Sequence, residues 1–168
     1  MKNVPDKAVG DSKAMDRHPP QGRAFQSRIP NPHSPAFHWP VRVYWEDTDA
    51  GGVVYHAGYL RYFERARSEW LRARGFGQQQ LREAEGIVFV VHRMEIAFRA
   101  PARLDDLLDA SVAVESHGGA SFTVRQALHR ADCAGPLVDA RVRIACVDAA
   151  RFRPHPIPRH LFAEIAPT

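Results

Sequence analysis

Acidic side chains, two glycines and an aromatic helix follow one another in residues 46–67, which read EDTDAGGVVYHAGYLRYFERAR. Glu46, Asp47 and Asp49 supply three carboxylates, and the glycines at 51–52 let the backbone turn sharply. A helix N-terminus has unpaired N–H groups and a partial positive charge, so it can hold a developing oxyanion. A carboxylate beside such N–H groups can activate water against a polarised carbonyl group, and this stretch therefore indicates hydrolysis of an acyl group.

The same residues also allow a purely structural interpretation. Acids in a solvated turn before a helix stabilise the helix dipole by about 0.3–1 kcal/mol each. His56 would then be a packed or exposed histidine, and Tyr55 would be a core residue. The spacing by itself leaves both interpretations open.

The elements that must position these residues are a strand before them and a helix after them. Apolar and polar residues alternate from Val41 to Glu46, which predicts a first strand with one buried face. That face would carry Val41, Val43 and Trp45. After the glycines, apolar residues recur every three or four positions, which predicts one long amphipathic helix over residues 57–74 that stops near Gly75. The recurring residues are Tyr59, Phe63, Ala66, Trp70 and Ala73.

Three or four further alternating runs predict the other strands. They cover residues 94–98, 108–114, 122–128 and 138–146. The breaks HGGAS at 117–121 and ADCAGP at 131–136 are typical of hairpins, so these neighbours should be antiparallel.

An antiparallel sheet with one apolar face needs a cover, and the long helix is the one available. The patterns therefore predict an α+β fold in which the sheet wraps around the helix. Residues 151–166 contain three prolines and predict an irregular C-terminal strap with about one helical turn.

Composition narrows the class of protein. The length of 168 residues and 45% apolar content fit one soluble domain. Six of the 23 Lys/Arg and three of the 19 Asp/Glu lie in residues 1–36. Residues 37–168 therefore carry 17 basic and 16 acidic side chains, which nearly cancel. This balance argues against a nucleic-acid-binding surface.

The two cysteines of the chain lack the spacing of metal ligands. They argue against a disulfide scaffold or a zinc site and favour the reducing cytoplasm. No apolar run approaches the roughly 20 residues of a membrane-spanning helix.

The first 36 residues differ from the rest of the chain. They hold six of the 13 prolines and few large apolar residues, which predicts a disordered extension before a domain over residues 37–168. A transit peptide is the alternative, but Asp6, Asp11 and Asp16 weaken it because such peptides are poor in acids.

Residues 41–76, VRVYWEDTDAGGVVYHAGYLRYFERARSEWLRARGF, closely resemble the opening of the Tol–Pal-associated acyl-CoA thioesterases of the YbgC type. These belong to the 4-hydroxybenzoyl-CoA thioesterase group of the hotdog fold. The resemblance continues through FVVHRMEIAFRAPARLDDLL at 89–108 and, more weakly, CVD at 146–148. It spans nearly all of residues 38–160, and the run D-x-D-x-x-G-V-V-Y-H-x-x-Y-L is specific. The hotdog fold is a sheet around a helix, as the patterns predict.

The resemblance implies roles for individual residues. Asp49 matches the catalytic carboxylate, which would act either as general base on water or as nucleophile through a mixed anhydride. His56 matches the histidine of the motif, and its backbone N–H would polarise the thioester carbonyl. No cofactor or metal is implied. The substrate would be a short-chain or aromatic acyl-CoA or an acyl-carrier-protein thioester. The implied substrate-binding residues are Gly52, Val54, Tyr55 and Tyr59.

Two features depart from the family pattern. Trp45 stands where relatives often have a second tyrosine, and its larger ring could narrow the acyl site. Residues 116–121, SHGGAS, stand where hydroxybenzoyl-CoA enzymes have a basic cluster that holds the CoA nucleotide. Another arginine could substitute for this cluster, and an acyl carrier protein would need less nucleotide binding. The candidates are Arg99, Arg103 and Arg125.

The resemblance also implies a homodimer or homotetramer with the acyl site at a subunit interface. The charge balance and the lack of a long apolar run predict neither nucleic-acid binding nor membrane insertion. Two other functions are compatible with the fold. A hydratase acting on enoyl thioesters would use His56 with Asp49. A non-enzymatic acyl-binding or scaffold component of the Tol–Pal envelope system would make use of the N-terminal extension.

Overall fold

The computed structural model describes residues 36–165. The extension predicted for residues 1–36 lies outside this range except for its last residue, as do the last three residues of the domain predicted for 37–168.

The described chain forms five strands, three α-helices and one 3₁₀ turn. In chain order these are β1 (Phe37–Arg42), the 3₁₀ turn (Trp45–Asp47), α1 (Gly58–Arg72), α2 (Gln78–Ala84), β2 (Ile87–Phe98), β3 (Leu107–His117), β4 (Ser121–Arg130), β5 (Val138–Asp148) and α3 (Arg159–Ile165). All strand pairs are antiparallel, in the order β1-β3-β4-β5-β2. The predicted α+β class is confirmed.

Helix α1 packs its apolar stripe against the sheet. It contains no β-branched residue, and the stripe residues Tyr62, Phe63, Ala66 and Trp70 are at most 1% exposed. Burial of each large apolar side chain stabilises the fold by about 1.5–3 kcal/mol. The helix ends as predicted near Gly75, which has a φ of 87°. The placement of Ala73 on the buried stripe is wrong, because it follows the last helical turn and is exposed.

The first strand is shorter than the alternation predicted. It ends at Arg42, although Val43 stays fully buried and its N–H donates to the Asp106 carbonyl. The Asp47 carboxylate then accepts the Tyr44 N–H and closes the 3₁₀ turn. The assignment of Trp45 to the buried face is therefore wrong, since its side chain is 78% exposed.

The other predicted strands and both hairpins are confirmed, with longer bounds. In the centre of the sheet, Val124 of β4 lies opposite Val114 of β3 on one side and Val142 of β5 on the other. Helix α2 was not predicted, because Leu81 is its one buried residue and a single apolar position gives no periodicity. The C-terminal segment is irregular before α3, whose Leu161 and Ile165 are buried.

Candidate active site

Asp49 lies in a short loop whose two ends pair with each other. Thr48 and Val54 form an antiparallel bridge, and the Asp49 N–H donates to the Val53 carbonyl at 2.9 Å. Across the turn, the Gly52 N–H donates to the Asp49 carbonyl, also at 2.9 Å. The side chain of Asp49 is solvent-exposed at the end of this loop. A carboxylate that must reach a substrate needs this access.

The two glycines have separate structural reasons. The Gly51 N–H donates to Oδ1 of Asp49 at 2.8 Å, and a Cβ at Gly51 would lie only 3.0 Å from that oxygen. Gly52 has a φ of 72°, a conformation that side chains other than glycine rarely adopt. The predicted sharp turn is confirmed, and it fixes the Asp49 carboxylate through a backbone N–H.

Unpaired backbone N–H groups stand where the loop enters α1. The Val54 N–H donates to the Ala102 carbonyl at 2.9 Å, and the Tyr55 N–H donates to the Asp47 carbonyl at 3.0 Å. Within residues 36–165, the next two N–H groups, those of His56 and Ala57, donate to no acceptor. They are unpaired donors at the position where the sequence predicted an oxyanion site.

The carboxylates of the EDTD sequence fall into two environments. Asp47 is 2% exposed; its Oδ2 accepts the Tyr44 N–H at 2.9 Å, and its Oδ1 lies 3.8 Å from Nη2 of Arg61. Glu46 and Asp49 are exposed. Asp49 is therefore the acid that combines solvent access with a fixed orientation, whereas Asp47 is enclosed by protein.

Several aromatic rings lie near the N-terminus of α1. The His56 imidazole contacts Tyr55, with ring centroids 4.3 Å apart, and packs edge-on against Phe98 at 6.5 Å. The Tyr59 ring lies 5.8 Å from Phe98, and its hydroxyl accepts the Ala102 N–H at 2.9 Å. Burial raises the pKa of Tyr59. Tyr59 thus has a structural hydrogen bond in addition to its predicted place in the acyl pocket.

Phe98 is a site residue that the sequence reasoning missed. It was assigned only to a strand, yet its ring is 51% exposed and contacts both His56 and Tyr59. Its position as the last residue of an alternating run, directly before Arg99, was the available signal. Phe98 and Tyr55 together present an exposed aromatic surface beside the unpaired N–H groups.

The arginines considered for CoA binding are on the protein surface. Arg99 pairs with Asp139, and Arg125 pairs with Glu115. Both line a pocket of about 750 Å³ on the sheet face opposite α1. Arg103 is exposed in the loop before β3. Two of the three guanidinium groups are therefore already paired with carboxylates, although Arg125 shares Glu115 with Arg141.

No metal-ion site is present in the part of the chain that the structure describes: no three His, Cys, Asp or Glu side chains are grouped to hold an ion. In the same residues, no helix is long and apolar enough to cross a membrane.

Comparison with known proteins places the chain in a family. The sequence model of the thioesterase-like superfamily matches residues 43–165. This chain belongs to that superfamily. It is 47% identical over 128 residues to the acyl-CoA thioester hydrolase YbgC of Escherichia coli O6:H1, covering 76% of this chain and 94% of that protein. The resemblance to YbgC-type thioesterases is confirmed.

Solved structures agree with this assignment. A probable thioesterase from Bartonella henselae superposes with a TM-score of 0.69 at 40% identity, covering 73% of this chain and 99% of that one. A mutant 4-hydroxybenzoyl-CoA thioesterase complexed with 4-hydroxybenzoyl-CoA superposes with a TM-score of 0.73 at 18% identity. The match covers 79% of this chain and 100% of that one. The latter likeness concerns the fold alone, and the predicted hotdog fold is confirmed.

Proposed function

We propose that this chain hydrolyses acyl-CoA thioesters with Asp49 as the reacting carboxylate and the N–H groups that open α1 as the oxyanion site. The enzyme class, acyl-CoA thioester hydrolase, is the one that the curated relatives carry in their names. The observation that carries the proposal is the exposed Asp49, held by the Gly51 N–H on a loop that leads into the unpaired N–H groups of His56 and Ala57.

The chemistry follows from these two groups. The carbonyl oxygen of the thioester accepts hydrogen bonds from the N–H groups, and negative charge develops there as the carbon is attacked. As general base, Asp49 takes a proton from the attacking water, the C–S bond breaks, and the CoA thiolate is protonated as it leaves. As nucleophile, Asp49 forms a mixed anhydride that water then hydrolyses. Both routes give a free acid and a thiol, and both need the same carboxylate.

The substrate class we propose is a short-chain or aromatic acyl group. The exposed rings of Tyr55 and Phe98 both contact His56 and offer apolar surface for such a group. The buried Tyr59 ring contacts Phe98, Val54 is buried directly before Tyr55, and Gly52 provides the positive φ of the loop. CoA is the carrier we propose, with an acyl carrier protein as the alternative, and the narrowing of the acyl site by Trp45 stays a prediction.

A second copy of the chain is part of this proposal. Strand β2 is at the edge of the sheet, and exposed Val91 and Phe98 lie on it. A twelve-residue edge strand with apolar side chains is a surface that proteins normally cover. We therefore propose a homodimer, or a homotetramer built from it, with the acyl site at the subunit interface. We also propose a cytoplasmic location for the protein, which the two free cysteines of each chain fit.

The alternative hydratase activity has less support. It would need the His56 imidazole paired with Asp49, whereas that ring contacts Tyr55 and Phe98. A scaffold role in the Tol–Pal system depends on residues 1–36, nearly all of which lie outside the described range.

A substrate panel tests the proposal. The full-length protein is given straight-chain acyl-CoA thioesters of increasing length, benzoyl-CoA, 4-hydroxybenzoyl-CoA and a short acyl-carrier-protein thioester, and thiol release is followed. An enoyl-CoA thioester is given to the protein in parallel, and the loss of absorbance of its conjugated double bond measures hydration. We expect thiol release with the highest kcat/KM for a short or aromatic acyl group. Hydration of the enoyl thioester without thiol release from any substrate would contradict the proposal.

A further inference from the structure

We infer that Asp47 is a positioning residue for the hydrolysis: its buried carboxylate and peptide group fix Asp49 relative to the unpaired N–H of His56. This inference rests on the proposed function, because Asp47 would act through Asp49 and not on the substrate. Asp47 is 2% exposed, so it cannot itself reach a thioester.

The first contact of Asp47 is with the chain that leads into the loop. Its Oδ2 accepts the Tyr44 N–H at 2.9 Å, and its own N–H donates to the Tyr44 carbonyl at 3.1 Å. One residue later, the Thr48 N–H donates to the Trp45 carbonyl at 3.2 Å. These bonds close the 3₁₀ turn two residues before Asp49, and they therefore set the direction in which the loop leaves the turn.

The second contact is with the chain that leaves the loop. The Asp47 carbonyl accepts the Tyr55 N–H at 3.0 Å, and the unpaired N–H of His56 follows directly. Asp47 thus touches the backbone on both sides of the loop that carries Asp49. A shift of Asp47 would change the distance between the reacting carboxylate and the oxyanion donors.

The third contact is with α1. Nη2 of Arg61 lies 3.8 Å from Oδ1 of Asp47, and a Cβ at Gly58 would lie 3.8 Å from the Asp47 carbonyl oxygen. Gly58 and Arg61 both belong to the first turn of the helix. Asp47 therefore contacts the beginning of α1 through both its carboxylate and its carbonyl oxygen.

The energetics favour a positioning role over an incidental one. Burial of a carboxylate is unfavourable unless hydrogen bonds and a counter-charge compensate for the lost hydration. Neighbouring Glu46 lies in the same turn and is exposed, so a solvated acid would suffice if only the helix dipole mattered. In enzymes, a misplacement of about 1 Å can cost roughly a hundredfold in rate.

The test compares Asp47→Ala, Asp47→Asn and the control Glu46→Gln in full-length protein. Alanine removes every side-chain contact, whereas asparagine keeps an acceptor for the Tyr44 N–H and loses the charge opposite Arg61. We expect kcat to fall about thirtyfold or more for alanine and about five- to tenfold for asparagine, with KM within about threefold of wild type. The control should stay within about twofold. Thermal melts verify that each variant is folded at the assay temperature.

Wild-type kcat in Asp47→Ala, or a change in KM alone, would overturn the inference. If the alanine variant does not fold, the asparagine variant decides in the same way, and an unchanged kcat there would overturn it. Asp49→Asn is assayed beside them to separate the two proposals. Full activity of Asp49→Asn would overturn the proposed function, whereas an inactive Asp49→Asn with a fully active Asp47→Asn would overturn the role of Asp47 alone.

Discussion

Asp47 and Asp49 are two residues apart, yet one carboxylate is enclosed and the other faces solvent. The 3₁₀ turn directs the first inward, where Tyr44 and Arg61 contact it. The glycine turn then directs the second outward, with the Gly51 N–H on one of its oxygens. At the residue scale, backbone donors decide which acid is enclosed and which faces solvent.

The contact between Gly51 and Asp49 yields a prediction. In Gly51→Ala, the new methyl group would lie 3.0 Å from Oδ1 of Asp49, so the carboxylate must move. We expect kcat to fall about tenfold or more. The free energy of unfolding should change by less than about 1 kcal/mol, because the loop is exposed and Gly51 does not have a positive φ. Steady-state kinetics and urea unfolding measure the two quantities. The control is Gly135→Ala, where a Cβ meets open space. Wild-type kcat in Gly51→Ala would contradict the role given to this contact.

Asp49, the glycine pair and His56 could be located from the sequence because the motif is contiguous and each residue type has a chemical reason. The burial of Asp47 could not be predicted, because it depends on a 3₁₀ turn that its own carboxylate closes by accepting the Tyr44 N–H. The exposure of Phe98 could not be predicted either, because it depends on where the edge of the sheet falls.

At the element scale, the link between α1 and the loop before β3 supports the site. The Tyr59 hydroxyl accepts the Ala102 N–H, and the Ala102 carbonyl accepts the Val54 N–H. Helix α1, the loop before β3 and the segment that leads into α1 are therefore joined through one buried residue, Ala102.

Removal of the Tyr59 hydroxyl tests this link. Tyr59→Phe leaves the Ala102 N–H buried without an acceptor, which should lower the free energy of unfolding by about 1–3 kcal/mol. Urea unfolding measures the change. Tyr55→Phe, at an exposed ring, is the matched control and should change stability by less than about 0.5 kcal/mol. Equal stability of Tyr59→Phe and wild type would refute the link.

The Glu115 carboxylate links three strands on the sheet face that points away from α1. Glu115 of β3 pairs with Arg141 of β5 and with Arg125 of β4, and these guanidinium groups, Arg141 first, lower the pKa of Glu115. A lowered pKa means a stabilising contribution that is present above the unfolded-state pKa, about 4.3, and is lost as pH falls through the folded-state value.

This sign gives a pH-dependent prediction. Glu115→Gln should be less stable than wild type at pH 7, and the difference should shrink as pH falls below about 4 and should decrease with added salt. Thermal melts over a pH series measure it, with Glu46→Gln as an exposed control. A difference that grows with acidity would contradict the ion-pair account.

The elements themselves were predictable to different degrees. Strands β3 to β5 and helix α1 have long, regular apolar patterns, so periodicity identified them. The predicted end of β1 was wrong because the strand stops at Arg42, where hydropathy is not decisive: the Tyr44 N–H donates to the Asp47 carboxylate and begins the 3₁₀ turn. Helix α2 has a single buried residue, and its presence depends on contacts with β2 that a local pattern does not contain.

At the scale of the whole molecule, the open edge of the sheet is the main unsatisfied feature. Strand β2 pairs with β5 on one side, and exposed Val91 lies along it. Phe98 is the last residue of the same strand, and it contacts His56 and Tyr59 at the N-terminus of α1. Assembly along this edge would therefore bring a partner close to the reacting groups.

A charge at this edge tests assembly. Val91→Asp should reduce the solution mass, by light scattering, toward the 18.9 kDa of a single chain and should lower kcat/KM at least tenfold. Val91→Thr keeps the β-branched shape and should remain assembled and active. A wild-type protein that is monomeric at assay concentration, or a monomeric Val91→Asp with full activity, would contradict the proposed interface site.

The central claim is that Asp49 performs the hydrolysis, and the most direct measurement is kcat/KM of wild type and Asp49→Asn on the best acyl-CoA substrate. Asparagine keeps the size of the side chain and an acceptor for the Gly51 N–H, but it can neither take the proton from water nor form an anhydride. We predict a fall of about a hundredfold or more, with the thermal melt unchanged. Undiminished thiol release by Asp49→Asn would contradict the account.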